Sequence, residues 1–163
     1  MKPYPISTLA EACGGKILSG DAQCSVSNGV CTDTRNLRPN SLFIALAGDK
    51  FDAHDFIAEA AQSAAAVMLS KEPETELPCP IILVPDTLIA LQKLAAWYRR
   101  QLTLTVVGIT GSNGKTSTKD FTRAVLSQKF STYATRGNLN NHIGVPLTIL
   151  SLDDSHQAAV VEM

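Results

Sequence analysis

The alternation of apolar and polar positions divides the chain into two parts of different character. Up to about residue 84, short apolar runs alternate with Gly, Asn and Pro, a pattern typical of strands separated by turns. The runs at 42–46, 67–69 and 81–84 are predicted strands, and an alanine-rich helix is predicted at 55–65. This β-α-β order predicts a small α/β domain.

The second part begins with an amphipathic helix predicted at 86–100. Its apolar side chains recur at spacings of three and four residues, and Asp86 after Pro85 is a suitable N-cap. The elements predicted after it are a buried strand at 104–107, a helix from 115 to about 129 with Phe121, Ala124 and Val125 inward, a strand at 131–134, an apolar run at 146–150 and a buried strand at 158–163.

The segment GITGSNGKTST, residues 108–118, lies between a predicted strand and a predicted helix. Gly111 and Gly114 allow positive φ angles, so that successive N–H groups turn toward one anion at the start of a helix. Lys115 adds a charge for the β- and γ-phosphates, and the hydroxyl of Thr116 is placed to ligate Mg²⁺. The residues predicted to hold the nucleotide are Thr110, Gly111, Ser112, Asn113, Gly114, Lys115 and Thr116.

This loop departs from the common phosphate-binding pattern at one position, because Ile109 stands where that pattern has glycine. The sequence therefore fits a variant that starts at Thr110 and Gly111. The alternative is an ordinary helix start, in which a glycine-rich turn happens to precede a lysine. The position of the loop directly after an apolar strand favours nucleotide binding.

Glu162 lies at the C-terminal end of the last predicted strand, the edge at which ligands gather in open α/β sheets. A carboxylate there could hold Mg²⁺ together with Thr116. The alternative is an exposed acid at the end of a strand. The residues themselves leave both possibilities open.

Too few strands are available in the second part for a complete nucleotide-binding sheet, which normally has about five. We therefore expect the sequence to be an N-terminal piece of a longer protein. An incomplete sheet would leave an apolar edge exposed, which predicts self-association through residues 158–163.

Composition and charge exclude several classes of function. The 163 residues carry 14 basic and 15 acidic side chains without a basic run, which argues against nucleic acid as a partner. No apolar stretch is long enough for a signal peptide or a membrane span, so we expect a cytoplasmic protein without membrane insertion. The four cysteines have irregular spacings and are expected to be reduced thiols.

Three segments, TGSNGKTS at 110–117, TDTRNLRPNSLFIALAGDKFDAHDF at 32–56 and GNLNNHIGVPLTIL at 137–150, together resemble the Mur ligases. The resemblance implies a small N-terminal α/β domain for the UDP-sugar at residues 1–84. It implies that residues 85–163 form the first part of a P-loop ATPase domain with a mainly parallel sheet.

The resemblance also implies an activity, that of an ATP-dependent amide ligase of peptidoglycan precursor synthesis. D-Alanyl-D-alanine would be added to UDP-N-acetylmuramoyl-tripeptide through an acyl phosphate, with ATP and Mg²⁺ as cofactors. Lys115 would stabilise the transferring phosphoryl group, and Thr116 and Glu162 would hold the metal. Such chemistry requires positioning and charge neutralisation rather than a nucleophilic side chain.

The residues that the resemblance assigns to substrate binding lie in two regions. Thr34 and Arg35 would contact the uridine diphosphate, although Arg35 could instead be a loop charge or pair with Asp33. The loop of Asp49, Lys50 and Phe51 would hold the uracil. The amide-rich loop GNLNN at 137–141 would bring Asn138 and Asn140 to the substrate, and Asn138 and Asn141 to the reacting phosphate. The alternative for these asparagines is a purely conformational role in a turn.

Asn40 stands where similar sequences have glycine after proline. Asparagine tolerates the left-handed conformation better than other non-glycine residues, so we expect Asn40 to adopt it.

Several other functions, from different classes of protein, are alternatives to this ligase. A sibling ligase could add a single amino acid, although GNLNNHIGVP argues against it. A folylpolyglutamate synthetase would usually have G-K-G-S in the loop and lack the TDTR segment. A non-catalytic nucleotide-binding module is disfavoured by the UDP-sugar domain, and a P-loop kinase by the lack of an arginine-rich lid. We expect the chain by itself to bind nucleotides without turnover, and the parent ligase to be monomeric.

Overall fold

A computed structural model describes residues 1–48 and 51–163. The chain forms two compact units, Met1–Leu94 and Ala95–Met163. Both are α/β structures with mainly parallel sheets, which confirms the predicted fold class. The predicted domain boundary between residues 84 and 85 remains a prediction.

Short strands and helices build the first unit. Its strands are β1 (Tyr4–Pro5), β2 (Lys16–Ser19), β3 (Ser25–Val26), β4 (Val30–Cys31), β5 (Leu42–Ile44), β6 (Ala66–Leu69) and β7 (Ile81–Leu83). Its helices are α1 (Ile6–Cys13) and α2 (Ile57–Ala60), with 3₁₀ turns at Thr34–Asn36 and Ala53–Phe56.

The main sheet of this unit has the strand order β2-β7-β6-β5-β4. Strands β4 to β7 run parallel, and β2 is antiparallel at one edge. The central strands β5 and β6 are fully buried, as expected for parallel strands covered on both faces. The three strands predicted at 42–46, 67–69 and 81–84 are thereby confirmed, with small differences at their ends.

The helix predicted at 55–65 is much shorter than expected, because only α2 is α-helical. Asp52 accepts a hydrogen bond from the amide of His54 and begins the 3₁₀ turn that precedes α2. At the other end, the carbonyl of Ser63 bonds Asn40 and the amide of Ala65 bonds Ser41. Pairing with this distant segment replaces the helical hydrogen bonds that alanine propensity alone would favour. Asn40 has φ 60°, as predicted.

A hydrogen-bonded network joins the 3₁₀ turn to the end of β6. His54 Nδ1 lies 2.5 Å from Asp52, and its Nε2 accepts the backbone N–H of Ser70 at 3.0 Å. Lys71 Nζ donates to the other oxygen of Asp52 at 3.0 Å. These donors, the His54 amide above all, hold the pKa of Asp52 well below its ordinary range.

The second unit contains a three-stranded parallel sheet. Helix α3 (Thr87–Gln101) precedes it, and Asp86 caps that helix by accepting the amide of Ile89, as predicted. The elements that follow are β8 (Thr105–Ile109), α4 (Lys115–Leu126), β9 (Thr132–Ala134), α5 (Gly144–Leu150) and β10 (Ala158–Glu162). The buried hydroxyl of Tyr98 donates to the carbonyl of Leu152 at 2.7 Å, which ties the last turns of α3 to the segment before β10.

The inward face predicted for α4 is wrong. Phe121 and Val125 are 74% and 71% exposed, and Ala124 is also exposed. Lys119 is the buried side chain instead, and Lys115 lies one turn before it on the same face. The helix is oriented by its lysines rather than by its apolar residues.

The exposed edge predicted at residues 158–163 is wrong, whereas the self-association that was expected from it stays a prediction. The strand order is β8-β10-β9, so β10 lies between two parallel partners. All five of its residues are buried. After β9 the chain crosses over, so that β10 lies between β9 and β8. The order of apolar runs along the sequence does not indicate this arrangement.

The four cysteines are free thiols, in agreement with the sequence-based interpretation. Within residues 1–48 and 51–163, no cluster of three or more His, Cys, Asp or Glu side chains has the arrangement of a metal site. None of the helices described is both long and apolar enough to cross a bilayer.

The Asp52 network predicts an acid-dependent contribution to stability. A carboxylate with a depressed pKa stabilises the folded state fully above its unfolded pKa, near 3.8, and loses this contribution as the pH falls toward its folded pKa. Asp52→Asn should therefore be less stable than the wild type at pH 7, and the difference should shrink below about pH 4. Urea denaturation at pH 7, 4 and 3 measures it.

The matched control is Asp55→Asn, which alters an exposed acid in the same 3₁₀ turn. If the wild type and Asp52→Asn lose stability in parallel as the pH falls, the network does not cause the pH dependence of the free energy of unfolding.

Candidate functional site

The phosphate-binding loop connects β8 to α4. Gly111 has φ 146° and Gly114 has φ 75°, so both adopt the positive φ that the sequence predicted. Residues 111–114 are exposed, and the first N–H groups of α4 have no partners within the helix. Lys115 Nζ donates to the carbonyl of Gly111 at 2.7 Å, which folds this side chain back over the loop. The arrangement offers several donors and one cation to an anion.

Glu162 ends β10 beside this loop, and its side chain is only 4% exposed. The hydroxyl of Thr116 donates to Glu162 Oε1 at 3.3 Å, and the amide of Asn140 donates to the same oxygen at 2.9 Å. The backbone N–H of Glu162 donates to the hydroxyl of Thr135 at 2.9 Å. The structure thus brings together Thr116, Asn140 and Glu162, three residues that the sequence had singled out.

The second carboxylate oxygen, Glu162 Oε2, is buried and accepts no hydrogen bond among the described residues. Lys119 Nζ lies 3.7 Å away as an ion-pair partner. The Asn140 hydrogen bond, followed by the charge of Lys119 and the Thr116 hydroxyl, lowers the pKa of Glu162. An ionised carboxylate with an unused oxygen, next to a threonine hydroxyl, fits the oxygen-donor chemistry that Mg²⁺ requires.

The asparagines of the loop at residues 137–141, the asparagine loop, make different contacts. Asn140 binds Glu162, whereas the side-chain oxygen of Asn141 accepts the amides of Ile143 and Gly144 at 3.1 and 2.7 Å. Asn141 therefore organises the start of α5. Asn138 is exposed. The catalytic role predicted for Asn138 and Asn141 stays a prediction.

Gly144 is required by a close approach of backbone. A Cβ atom at this position would lie 2.4 Å from the Cα and carbonyl carbon of Leu139. Because these are main-chain atoms, no side-chain rotation could relieve the clash. The glycine thus allows the loop that carries Asn140 to pack directly on α5.

A separate pocket of about 600 Å³ lies in the first unit. It brings together Thr34, Arg35 and Phe51, which the sequence predicted as substrate-binding residues. The ring of Phe51 stacks on Phe56 with centroids 5.3 Å apart and planes inclined by 17°, although Phe51 is 60% exposed. An exposed aromatic stack beside a guanidinium suits a planar base joined to phosphates. Asp49 and Lys50, also predicted here, lie outside the described residues.

Arg35 is paired with Asp33, the alternative that the sequence left open. Its Nε and Nη2 donate to the carboxylate at 2.9 and 2.8 Å. This hydrogen bonding lowers the pKa of Asp33 to about 2 and raises the pKa of Arg35. The side chain of Arg35 is nevertheless 86% exposed, so the guanidinium remains accessible at the pocket.

Three contributors to these sites were missed from the sequence. Phe56 completes the aromatic stack, Lys119 neutralises Glu162, and Thr135 anchors the backbone of that residue. Lys119 carried a usable signal, because it lies four residues after Lys115 and therefore on the same helical face. Thr135 and Phe56 gave no such signal, since their partners are distant in sequence or exposed.

The sequence and the fold match known proteins. A family model described as the Mur ligase middle domain matches residues 109–163. The UDP-N-acetylmuramoyl-tripeptide–D-alanyl-D-alanine ligase of Bacillus subtilis is 42% identical over 97% of this chain. The chain belongs to the Mur ligase family.

Two solved structures extend the comparison. A Mur ligase of Acinetobacter baumannii, named UDP-N-acetylmuramoylalanyl-D-glutamyl-2,6-diaminopimelate–D-alanyl-D-alanyl ligase, matches all of this chain with a TM-score of 0.89 and 35% identity. The MurF ligase of Thermotoga maritima in complex with ADP matches 82% of this chain with a TM-score of 0.72 and 35% identity. The chain spans about a third of these relatives, covering 35%, 36% and 31% of their respective lengths.

Lys119→Met should destabilise the folded chain. Removal of the ammonium would leave the buried Glu162 carboxylate without its compensating charge, which costs about 3 kcal/mol. Lys119→Arg should recover part of the loss because it restores the charge. Urea unfolding at pH 7 measures both, with Lys129→Met, an exposed lysine after the same helix, as the control. Equal stability of Lys119→Met and this control would contradict the assignment.

Gly144→Ala should displace the asparagine loop. The clash with the Leu139 backbone would move Asn140 away from Glu162 and destabilise the chain by about 1–3 kcal/mol. Thermal unfolding measures the loss of stability, and amide hydrogen exchange in residues 137–141 reports the displacement. Ser151→Ala, at the exposed end of α5, is the control. Unchanged exchange in the loop would show that the backbone accommodates the methyl group.

Proposed function

We propose that the complete gene product is an ATP-dependent amide ligase that joins D-alanyl-D-alanine to UDP-N-acetylmuramoyl-tripeptide. The observation that carries this proposal is the convergence of Thr116 and Asn140 on the buried Glu162 beside the phosphate-binding loop. The names of the relatives supply the substrates, and the ADP complex of the Thermotoga maritima protein supports ATP as the nucleotide.

The loop residues would act on the phosphates of ATP. The N–H groups at the start of α4 bind phosphate oxygens, and Lys115 turns from the Gly111 carbonyl to neutralise charge on the transferring phosphoryl group. Thr116 and Glu162 are the residues that would hold Mg²⁺. When bound, this ion would polarise the terminal phosphate. Asn140 orients Glu162 through the hydrogen bond to Oε1.

The reaction class follows from the groups at hand. A terminal carboxylate of the peptide attacks the γ-phosphorus of ATP, which releases ADP and forms an acyl phosphate. The amine of the dipeptide then attacks the acyl carbon, and inorganic phosphate leaves. Both steps depend on positioning and charge neutralisation, for which Lys115, Asn138 and Asn141 are the proposed catalytic residues.

The pocket of the first unit would bind the uridine diphosphate part of the substrate. Arg35 is held by Asp33 with its guanidinium exposed, and Phe51 offers an aromatic face to the base. The proposal extends to the division of labour, with residues 1–84 binding the UDP-sugar and residues 85–163 contributing to the ATP site. It also places the protein in the cytoplasm, where ATP is available.

The test is turnover by the complete gene product. We expect ATP-dependent formation of the UDP-linked pentapeptide from UDP-N-acetylmuramoyl-tripeptide and D-alanyl-D-alanine, with release of one ADP per amide bond. Lys115→Ala should lower kcat by roughly a hundredfold or more, because a charge that stabilises the transition state is lost. Lys129→Ala is the matched control.

The outcome also separates the candidate functions. Product formed only from a shorter UDP-linked peptide and a single amino acid would identify a sibling ligase. ATP binding without any amide product would support the non-catalytic module. Arg35→Ala should weaken binding of the UDP-linked tripeptide in calorimetry and leave ATP binding unchanged.

A further inference from the structure

A cavity in the Ala95–Met163 unit has no role in the function proposed so far. It has a volume of about 480 Å³ and lies between α4, β9 and the segment that follows β9. We call it the arginine pocket. Its basic, hydroxyl and aromatic lining residues are Lys119, Arg123, Thr132, Tyr133, Thr135, Arg136 and His156, with Asp120 as the acid.

Two guanidinium groups give this pocket its positive charge. Lys119 is already compensated by Glu162 at 3.7 Å and by Asp120 at 3.5 Å. Arg123 and Arg136 form no ion pair with any of the residues described. Both arginines are exposed, so an anion can reach them from solvent.

The orientation of Arg136 is set by an aromatic ring rather than by an acid. Its guanidinium carbon lies 5.5 Å from the centroid of the Tyr133 ring. The ring of His156 packs against the same tyrosine in an edge-to-face arrangement, with centroids 5.2 Å apart and planes at 89°. A guanidinium that lies over an aromatic ring still has N–H groups to offer to a planar anion, so this position leaves Arg136 able to bind a carboxylate.

The arginine pocket borders the reacting end of the nucleotide site. Lys119 and Thr135 line the pocket, and both also contact Glu162. Arg123 follows Lys119 by one helical turn, which is about 6 Å along the axis. The spacing between Lys119 and Arg123 is comparable to the length of one or two peptide residues. A peptide whose reacting group lies beside Glu162 can therefore place a neighbouring group at the arginines.

We propose that Arg123 and Arg136 bind a non-reacting carboxylate of the peptide substrate. This inference rests on the proposed function, because it takes the peptide as the ligand. The name of the Acinetobacter baumannii ligase describes that peptide as alanyl-D-glutamyl-2,6-diaminopimelate. Glutamate and diaminopimelate have two carboxyl groups each, so the peptide keeps carboxylates that are neither in its amide bonds nor the reacting one.

The first measurement is calorimetric binding of UDP-N-acetylmuramoyl-tripeptide to the complete gene product, which does not depend on turnover. Arg123→Gln and Arg136→Gln should each weaken binding by roughly tenfold, because each removes a charge-assisted hydrogen bond. Arg136→Lys keeps the charge and should recover part of the affinity. Arg100→Gln, an exposed arginine of α3, is the matched control.

An analogue identifies the group that is bound. In a UDP-linked tripeptide whose non-reacting carboxylates are converted to carboxamides, the wild type should bind as weakly as the double variant Arg123→Gln/Arg136→Gln binds the acid. The double variant should show no further loss with this analogue. In steady-state assays, KM for the acid tripeptide should rise by roughly tenfold, whereas kcat and KM for ATP should not change.

The contrary outcomes are distinct. Equal losses with the acid and the carboxamide, or no loss with either, would overturn the inference. Binding of inorganic phosphate that disappears in both variants, with unchanged binding of the tripeptide, would assign the pocket to free phosphate instead. Absence of amide formation by the wild type would defeat the proposed function, whereas the calorimetric result would still decide the role of the pocket.

Discussion

The second unit depends on compensating the charge of one buried carboxylate. Glu162 ends a strand that lies between two parallel neighbours, where an ionised group is stable only among donors and cations. Its partners Thr116, Lys119 and Asn140 come from a helix and a loop that precede it by 22 to 46 residues. Because they must all reach one side chain, the carboxylate fixes the orientation of α4 and the position of the asparagine loop together.

That constraint explains why the apolar residues of α4 are exposed. A helix presents one face to a three-stranded sheet, and here Lys115 and Lys119 occupy that face. Phe121 follows Lys119 by two residues, which is about half a turn, so it lies on the opposite side, and Val125 is exposed with it. Reading the helix by its apolar positions therefore gave the wrong orientation. In a helix that begins at a ligand site, charged side chains can decide the orientation when they have a buried partner.

The features that could be predicted from the sequence are those set by near neighbours. The positive φ of Gly111 and Gly114, the left-handed Asn40 and the Asp86 cap all depend on a few adjacent residues. The features that could not be predicted join distant segments. The Asn40–Ser63 and Ser41–Ala65 hydrogen bonds shorten α2, and the crossover that centres β10 in its sheet depends on the whole unit. The candidate site shows the same division, because the loop was predictable whereas the Lys119–Glu162 pair was not.

The two oxygens of Glu162 have different environments, and this difference bears on how the proposed site would work. Oε1 accepts both Thr116 and Asn140, so it is engaged in holding the loop and the helix together. Oε2 accepts no hydrogen bond from the described residues, and Lys119 lies 3.7 Å away, beyond hydrogen-bonding distance. A divalent cation could bind Oε2 without breaking the contacts that position the carboxylate. Lys119 would then stabilise Glu162 before the metal binds. Because Oε2 is buried, its surroundings would have to open locally to receive the ion.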